Sequence, residues 1–179
     1  TFSIPFSAIV HWPANWAEKL TEPFERSIFF CSCLRSLSLD VIDATLAPGS
    51  LTYGELVIPG ETDEEVFLST NVCHPSMGNN ELSGPCVTTY LGKWLSELAT
   101  RRYTYRIIFI PETIGSIAYL SKNLDHLRQN VIAGFNLNCL GDNRVYSYLS
   151  SKSENTFSDH VIIYLLNKKK IRYKKYTWL

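Results

Sequence analysis

Four polar side chains that could take part in metal or acid–base chemistry occur close to strand-like stretches of the sequence. Three of them come just after such stretches: His74, Glu112 and Asp142. The fourth, Glu81, follows His74 at the start of a helical pattern. In an open α/β sheet the loops at the carboxyl ends of the strands surround a shared crevice, so we expect these four groups to converge.

The side-chain types at these positions are those of a catalytic zinc site. Imidazole and carboxylate groups hold such an ion and leave one position for water. The ion lowers the pKa of that water and polarises an amide carbonyl, while a nearby glutamate takes the proton. We therefore predict that His74, Glu81 and Asp142 bind zinc and that Glu112 is the catalytic base.

Each of these residues also has an ordinary explanation when it is taken alone. A loop Asp or Glu is usually a helix cap or a surface charge. His74 lies in a Cys-His-Pro sequence, which is compatible with a buried turn and a hydrogen-bonded imidazole. Of the other histidines, His126 and His160 lie near predicted helix ends, where a capping or surface role is expected. The zinc prediction therefore depends on convergence from several strand ends.

The pattern of apolar residues predicts the elements that carry these side chains. Residues 51–58 and 65–72 are typical of strands, and the Pro59-Gly60 turn between them predicts an antiparallel hairpin. The later elements are predicted in chain order as a helix over 82–98, a strand over 106–110, a helix over 114–120, strands over 131–140 and 145–149, a helix over 158–166 and a strand over 171–178. This alternation predicts a three-layer α/β sandwich.

The bulk composition indicates one domain and excludes some classes of partner. The 179 residues are 45% apolar, and 17 basic side chains balance 17 acidic ones, so no overall field attracts nucleic acid or an acidic membrane. The basic residues within 168–175 are typical of a solvated helix end or edge strand. Because no signal peptide or membrane-spanning run is present, we predict a soluble, cytoplasmic protein without a nucleic-acid or membrane partner.

The five cysteines form an odd set that favours reduced, buried thiols over a disulfide framework. They are Cys31, Cys33, Cys73, Cys86 and Cys139. The Cys31-Ser32-Cys33 pair has no second Cys or His pair at zinc-finger spacing, so a structural zinc site is not predicted.

Five stretches of the sequence resemble a known family. They are GSLTYGEL (49–56), CHPSMGNNELSGP (73–85), IPETIGSIAYL (110–120), GFNLNCLGDNR (134–144) and YSYL (146–149). They are similar to the bacterial aminopeptidase-like domain family that is often linked to surface-polysaccharide biosynthesis genes. That family in turn resembles the zinc exopeptidases, such as bacterial leucyl aminopeptidase. The resemblance implies a mixed-sheet α/β fold, a paired-metal site and cleavage of a small peptide or amide substrate at a free amino end.

The resemblance also implies a role for each candidate residue. His74 lies at the position of the first metal-binding histidine, and Glu112 lies at the position of the general base. The stretch 80–84 stands where the zinc exopeptidases place a bridging aspartate, so either Glu81 substitutes for that carboxylate or the bridge is lost. Asp142 would replace a ligand that is lost at a nearby strand position. Three further residues are predicted to contact the substrate: Asn80, Ser83 and Asn138.

Some positions depart from the exopeptidase pattern. Asn138 and Thr113 stand where carboxylate ligands are usual, and a neutral side chain offsets less of the charge of two dications. These departures leave one metal ion, or none, as an open alternative to the one or two zinc ions that we predict. The usual distal histidine would lie beyond Leu179, which predicts a fragment with an unassigned segment, residues 1–40, and an aminopeptidase-like domain, residues 41–179, whose C-terminal part is missing.

Two functions other than hydrolysis remain open, and oligomeric state is not predicted. The neutral residues Asn80, Thr113 and Asn138 also fit a catalytically inactive descendant that binds a peptide, an amino sugar or a protein partner. A purely structural α/β scaffold is the third alternative, and in that case changes at Glu112 and Asp142 would alter stability alone.

Overall fold

The computed structural model describes residues 47–75, 78–141 and 144–178. Of these, residues 53–178 belong to one compact unit. Residues 47–52 have no regular secondary structure and lie outside that unit. The predicted N-terminal segment, residues 1–40, lies outside the described residues.

Six strands form two sheets in the described part of the chain. They are β1 (Gly54–Ile58), β2 (Glu65–Asn71), β3 (Thr104–Ile110), β4 (Val131–Asn136), β5 (Tyr146–Leu149) and β6 (Tyr173–Tyr176). The larger sheet has the order β1-β3-β2-β4, in which β1 runs antiparallel to β3 while β2 runs parallel to both β3 and β4. Strands β5 and β6 form a separate parallel pair. The larger sheet is therefore mixed, as expected.

The predicted hairpin of residues 51–58 and 65–72 is wrong, because β3 lies between β1 and β2. The connecting residues turn across the start of β3, where the Gly60 backbone N–H donates to Thr104 Oγ1 at 3.0 Å. A side chain at Gly60 would lie 2.2 Å from the Tyr103 carbonyl oxygen, so this crossing requires glycine. Strand β3 takes the central place because Ile107 and Ile108 are buried on opposite faces.

Three helices connect these strands in the described ranges. They are α1 (Gly84–Glu97), α2 (Ile114–Asn130) and α3 (Phe157–Lys168), and a π-helical turn, Asn79–Ser83, leads directly into α1. Helix α3 begins with a capping box, in which the Thr156 and Asp159 side chains each accept a hydrogen bond from the other residue's backbone N–H. Helix α2 extends ten residues beyond the predicted end at Leu120. The prediction ended too early because the second half of the helix is mostly polar and shows little apolar periodicity.

The helices cover both faces of the larger sheet. On one face Ile107 and Leu68 pack with Leu95 of α1, and on the other face Ile108 packs with Tyr119 of α2. Consecutive residues of β3 thus point to opposite cores, as the period of two requires. The mixed α/β fold is confirmed, while the closer zinc-exopeptidase-like sandwich stays a prediction.

None of the helices described is both long and apolar enough to cross a bilayer.

Candidate functional site

The loop after β2 brings His74 against Glu81. His74 Nε2 lies 3.5 Å from Glu81 Oε1, and the imidazole is 44% exposed whereas the carboxylate is fully buried. Glu81 belongs to the π-helical turn Asn79–Ser83, and short π-helical segments often occur at functional sites. Two of the predicted zinc ligands are therefore close together at the carboxyl end of β2.

The buried carboxylate of Glu81 is held in one orientation by hydrogen bonds. Its Oε2 accepts from the backbone N–H of Cys73 at 2.7 Å, and its Oε1 accepts from Asn80 Nδ2 at 3.0 Å. A buried charge without such partners would be strongly unfavourable. These contacts leave Oε1 directed towards His74.

The Asn80 side chain lies at the centre of the site. Its Nδ2 is 3.4 Å from His74 Nε2, and its Oδ1 accepts a hydrogen bond from Cys139 Sγ at 3.2 Å. The amide thus connects the loop after β2 with the loop after β4. Whether Asn80 also contacts a substrate stays a prediction.

The π-helical turn clamps the loop that follows β4. Leu140 N donates to Ser83 Oγ at 2.8 Å, and Gly141 N donates to Asn79 Oδ1 at 2.7 Å. The Ser83 hydroxyl also donates to the Asn79 carbonyl at 2.5 Å, so both its donor and its acceptor functions are used inside the protein. Asp142, the third predicted ligand, follows this clamped loop in sequence but lies outside the described residues.

The Asn138 side-chain amide forms hydrogen bonds with both β2 and β4. Its Oδ1 accepts from Asn71 N at 3.1 Å, and its Nδ2 donates to Asn136 Oδ1 at 2.7 Å. Strand β4 ends at Asn136 rather than at the predicted residue 140, because this side chain replaces the backbone partner at the next ladder position. The amide therefore has a structural role, and its predicted contact with substrate stays a prediction.

Glu112 lies at the same edge of the sheet as His74. Val72 N donates to the Ile110 carbonyl at 3.0 Å, so β2 and β3 end together and the residues that follow them leave the sheet at the same edge. The Glu112 side chain is exposed. The next residue, Thr113, has φ 57° and ψ −75°, a strained turn conformation that separates Glu112 from α2.

The donors present fit a zinc ion in part. Two ligands of a tetrahedral zinc at about 2.1 Å lie about 3.4 Å apart, and the 3.5 Å separation of His74 Nε2 and Glu81 Oε1 matches that spacing. A catalytic zinc usually has three protein ligands. Within residues 47–75, 78–141 and 144–178, no group of three His, Cys, Asp or Glu side chains is close enough to hold a metal. A third protein ligand would have to come from elsewhere, and Asp142 is the predicted one.

The three described cysteines are free thiols, as predicted, but they are exposed. These residues are Cys73, Cys86 and Cys139. The prediction of buried thiols is wrong for them because Cys73 and Cys139 lie in loops beyond the strands and Cys86 lies on the outer side of α1. Cys31 and Cys33 lie outside the described residues.

A second polar cluster lies under α2 near the start of the parallel strands. Arg106 of β3 pairs with Glu65 at 2.7 Å and also with Glu55, whose carboxylate accepts a hydrogen bond from the Tyr119 hydroxyl at 2.6 Å. His126 Nε2 lies 2.9 Å from Glu65 Oε1. Burial alone would raise the pKa of Glu65, but hydrogen bonds from Arg106 and His126 hold it below its usual value. His126 therefore contacts this cluster from the surface, where its side chain is 46% exposed, in agreement with the predicted surface role.

The clamp residue Asn79 was not among the residues predicted from the sequence. Its role depends on the position of Gly141 N, which is distant in sequence. The available signal was the Asn79-Asn80 pair in a polar stretch before a helix, since asparagine often bonds to loop backbone.

The chain has relatives in Clostridium acetobutylicum. It is 47% identical over 122 residues to a protein whose provisional name describes polysaccharide biosynthesis and an aminopeptidase-like domain, and this match covers 68% of the chain and 28% of that protein. It is also similar to a crystal structure from that organism, provisionally named as a peptidase, with a TM-score of 0.70 and 42% identity over 78% of this chain and 32% of that one. The chain therefore spans less than a third of the length of these relatives.

These likenesses support a peptidase-like kind of protein and confirm the resemblance found in the sequence. A family model that is described as a domain of unknown function, DUF4910, matches residues 4–179. Because that match extends over nearly the whole sequence, the chain belongs to the DUF4910 family.

Proposed function

We propose that this chain forms part of a metal-dependent hydrolase of aminopeptidase type, which cleaves a peptide or amide bond in a small substrate. The observation that carries the proposal is the His74–Glu81 pair, with its donor atoms 3.5 Å apart at the carboxyl end of β2. The names of the relatives, which describe a peptidase and an aminopeptidase-like domain, support the same reaction class.

In this proposal His74 Nε2 and Glu81 Oε1 would hold a zinc ion, and Asp142 would complete the ligand set. Zinc supplies a Lewis acid that polarises the scissile carbonyl and makes water more acidic. The buried position of Glu81 fixes one donor, while the half-exposed imidazole of His74 leaves the site open to a substrate.

Glu112 is the proposed general base. Its exposed carboxylate, at the same sheet edge as His74, would take a proton from the attacking water and pass it to the leaving amine. This assignment needs Glu112 to reach a water near His74, and the strained Thr113 turn follows Glu112 directly.

A second candidate function is a binding module that has lost catalysis. The observation that favours it concerns Asn138, which stands at a predicted ligand position. Its amide forms hydrogen bonds with Asn71 and Asn136. Such a module would bind a peptide, an amino sugar or a protein partner in the same crevice. It predicts ligand binding that does not depend on zinc.

Zinc titration of the purified chain by calorimetry tests the proposal. We expect His74→Ala to weaken zinc binding by at least about tenfold, because a catalytic site loses one of its few ligands. The matched control is His160→Ala, since His160 is exposed on α3 and belongs to no predicted site. Glu112→Gln should leave zinc affinity unchanged and reduce hydrolysis of aminoacyl anilides about 100-fold.

Two results would overturn the hydrolase proposal. One is a chain that binds no zinc, or binds it equally well with His74→Ala and His160→Ala. The other is zinc-loaded protein whose anilide hydrolysis is unaffected by Glu112→Gln. Peptide binding that persists in a zinc chelator would then favour the binding module.

A further inference from the structure

The amide nitrogen of Asn80 forms a small triangle with the two donor atoms of the candidate metal site. Nδ2 lies 3.0 Å from Glu81 Oε1 and 3.4 Å from His74 Nε2, while these two atoms are 3.5 Å from each other. The amide hydrogens carry partial positive charge and face the Glu81 oxygen and the His74 ring nitrogen. A neutral hydrogen-bond donor thus lies beside the two atoms that would share a cation at this site.

The orientation of this amide is fixed by the groups at both of its ends. Oδ1 accepts from the Cys139 thiol at 3.2 Å, which requires the oxygen to point towards the β4 loop. The reversed amide would place its oxygen 3.0 Å from Glu81 Oε1, where two acceptors would face each other without a hydrogen. The hydrogen-bond network therefore turns the NH₂ group towards Glu81 and His74.

A cation at this site would need the electron pairs that the amide now uses. Zinc binds imidazole nitrogen and carboxylate oxygen at about 2.0–2.2 Å, whereas Asn80 Nδ2 is already within hydrogen-bond range of the oxygen and close to the nitrogen. Both cannot use the same lone pairs at full strength. The amide and the cation are therefore competitors.

We infer that the Asn80 NH₂ group takes the place of a cation between His74 and Glu81, so that Asn80 limits the metal affinity of the site. This inference rests on the proposed function, because it concerns the same metal site. It assigns Asn80 to control of metal loading, where the sequence alone predicted a substrate contact. A residue that merely supported the ligands would act in the opposite direction, since its loss typically weakens metal binding about 10- to 100-fold.

Zinc titration calorimetry on the full chain separates these two roles. Asn80→Ala removes the competing hydrogens without adding charge, and we expect zinc to bind about three- to tenfold more tightly, the equivalent of one ordinary hydrogen bond. Asn80→Asp keeps an acceptor for the Cys139 thiol and adds a negative charge beside Glu81, so we expect an increase larger than that of Asn80→Ala. The matched control is Asn79→Asp, which adds the same charge one residue away and keeps the acceptor for Gly141 N.

Unchanged or weaker zinc binding in Asn80→Ala would overturn the inference, and so would an Asn80→Asp variant that binds no more tightly than Asn79→Asp. If Asn80→Asp does not fold, because two carboxylates then meet without a metal, Asn80→Ala alone decides. The outcome for the proposed function is separate. If zinc binds only after Asn80 is substituted, the inference is supported but the unsubstituted chain does not use a metal. If zinc binding depends on His74 and is unchanged by substitution of Asn80, the proposed function is supported and the inference is wrong.

Discussion

Two residues beside the candidate site adopt left-handed backbone conformations that non-glycine residues rarely take. Thr113 has φ 57° just after Glu112, and Cys139 has φ 53° where the chain leaves β4. Each allows a sharp change of direction at a strand end, and such conformations tend to occur at functional sites. At Cys139 the turned backbone accompanies the thiol contact with Asn80. The local geometry of both loops is thus set by single residues.

Thr113→Gly should stabilise the protein by about 1 kcal/mol. The β-branched side chain is strained at positive φ, and relief of that strain exceeds the entropy that glycine adds to the unfolded chain. The Thr113 side chain makes no capping hydrogen bond to α2, so little is lost. Urea denaturation followed by circular dichroism measures the change.

The control for this prediction is Lys170→Gly, since Lys170 has φ 54° directly after the end of α3. Its unbranched side chain is less strained there, so we expect a smaller gain than for Thr113→Gly. Destabilisation by Thr113→Gly would show that the threonine side chain contributes a contact of its own.

The types of the site residues were predictable from the sequence, but their contacts only in part. His74 and Glu81 were identified because a histidine and an acid follow a strand-like stretch, and the structure places them together. The central position of Asn80 was not foreseen. It depends on the amide rotamer and on the Cys139 thiol, which is 59 residues away in sequence. Periodicity carries no information on such distant polar contacts.

At the level of elements, α1 begins in close contact with β2 and the chain that follows β4. Thr70 of β2 donates its hydroxyl proton to the Leu137 carbonyl at 2.8 Å, and Gly84 packs directly on this bond. A Cβ atom at Gly84 would lie 2.1 Å from the Leu137 oxygen and 2.4 Å from Thr70 Oγ1. This contact fixes the distance between the π-helical turn and the strand ends.

Gly84→Ala should destabilise the protein by about 3 kcal/mol, because backbone atoms would have to move apart to admit a methyl group. The control is Gly134→Ala in β4, where the nearest atoms would be 3.9 Å away and ordinary contact results. For that variant we expect a change within about 1 kcal/mol, with some stabilisation from the less flexible unfolded chain. Equal urea midpoints for the two variants would contradict this account of the α1 packing.

The individual elements were predictable because apolar periodicity reports which face of a strand or helix is buried. Strands β2 and β3 and helix α1 were predicted near their observed bounds for this reason. The order of strands was not predictable in the same way, since a period of two defines faces but not neighbours. The sequence suggested a β1–β2 hairpin from a Pro-Gly turn, whereas two buried isoleucines on opposite faces of β3 place that strand between them.

At the scale of the whole molecule, buried carboxylates link its stability to pH. Asp159 is 2% exposed at the start of α3. It accepts hydrogen bonds from Ser151, Thr156 and the Tyr148 hydroxyl, which join α3 to β5 and the loop after it. Burial alone would raise the pKa of this carboxyl, but the bonds from Ser151, Tyr148 and Thr156 hold it well below its usual range. Glu65 is shifted in the same direction by Arg106 and His126.

Asp159→Asn should therefore cost about 3 kcal/mol near pH 7 and progressively less in acid. A carboxyl with a lowered folded-state pKa stabilises the protein above its unfolded value of about 4, and this contribution is lost as the pH falls towards the folded value. The asparagine variant lacks that contribution at every pH, so the difference in unfolding free energy from the wild type should shrink between about pH 5 and pH 2. Its remaining acid sensitivity would come from groups such as Glu65.

Glu154→Gln is the matched control, because Glu154 pairs with Lys175 on the surface and both side chains are more than a third exposed. Such pairs contribute under about 1 kcal/mol, so this variant should follow the wild-type pH profile closely. Urea denaturation of the three proteins at a series of pH values measures the difference. If the difference in unfolding free energy between the wild type and Asp159→Asn is the same across the acid range, the carboxylate charge does not stabilise the contact between α3 and β5. The lost stability would then come from the hydrogen-bond geometry of the side chain alone.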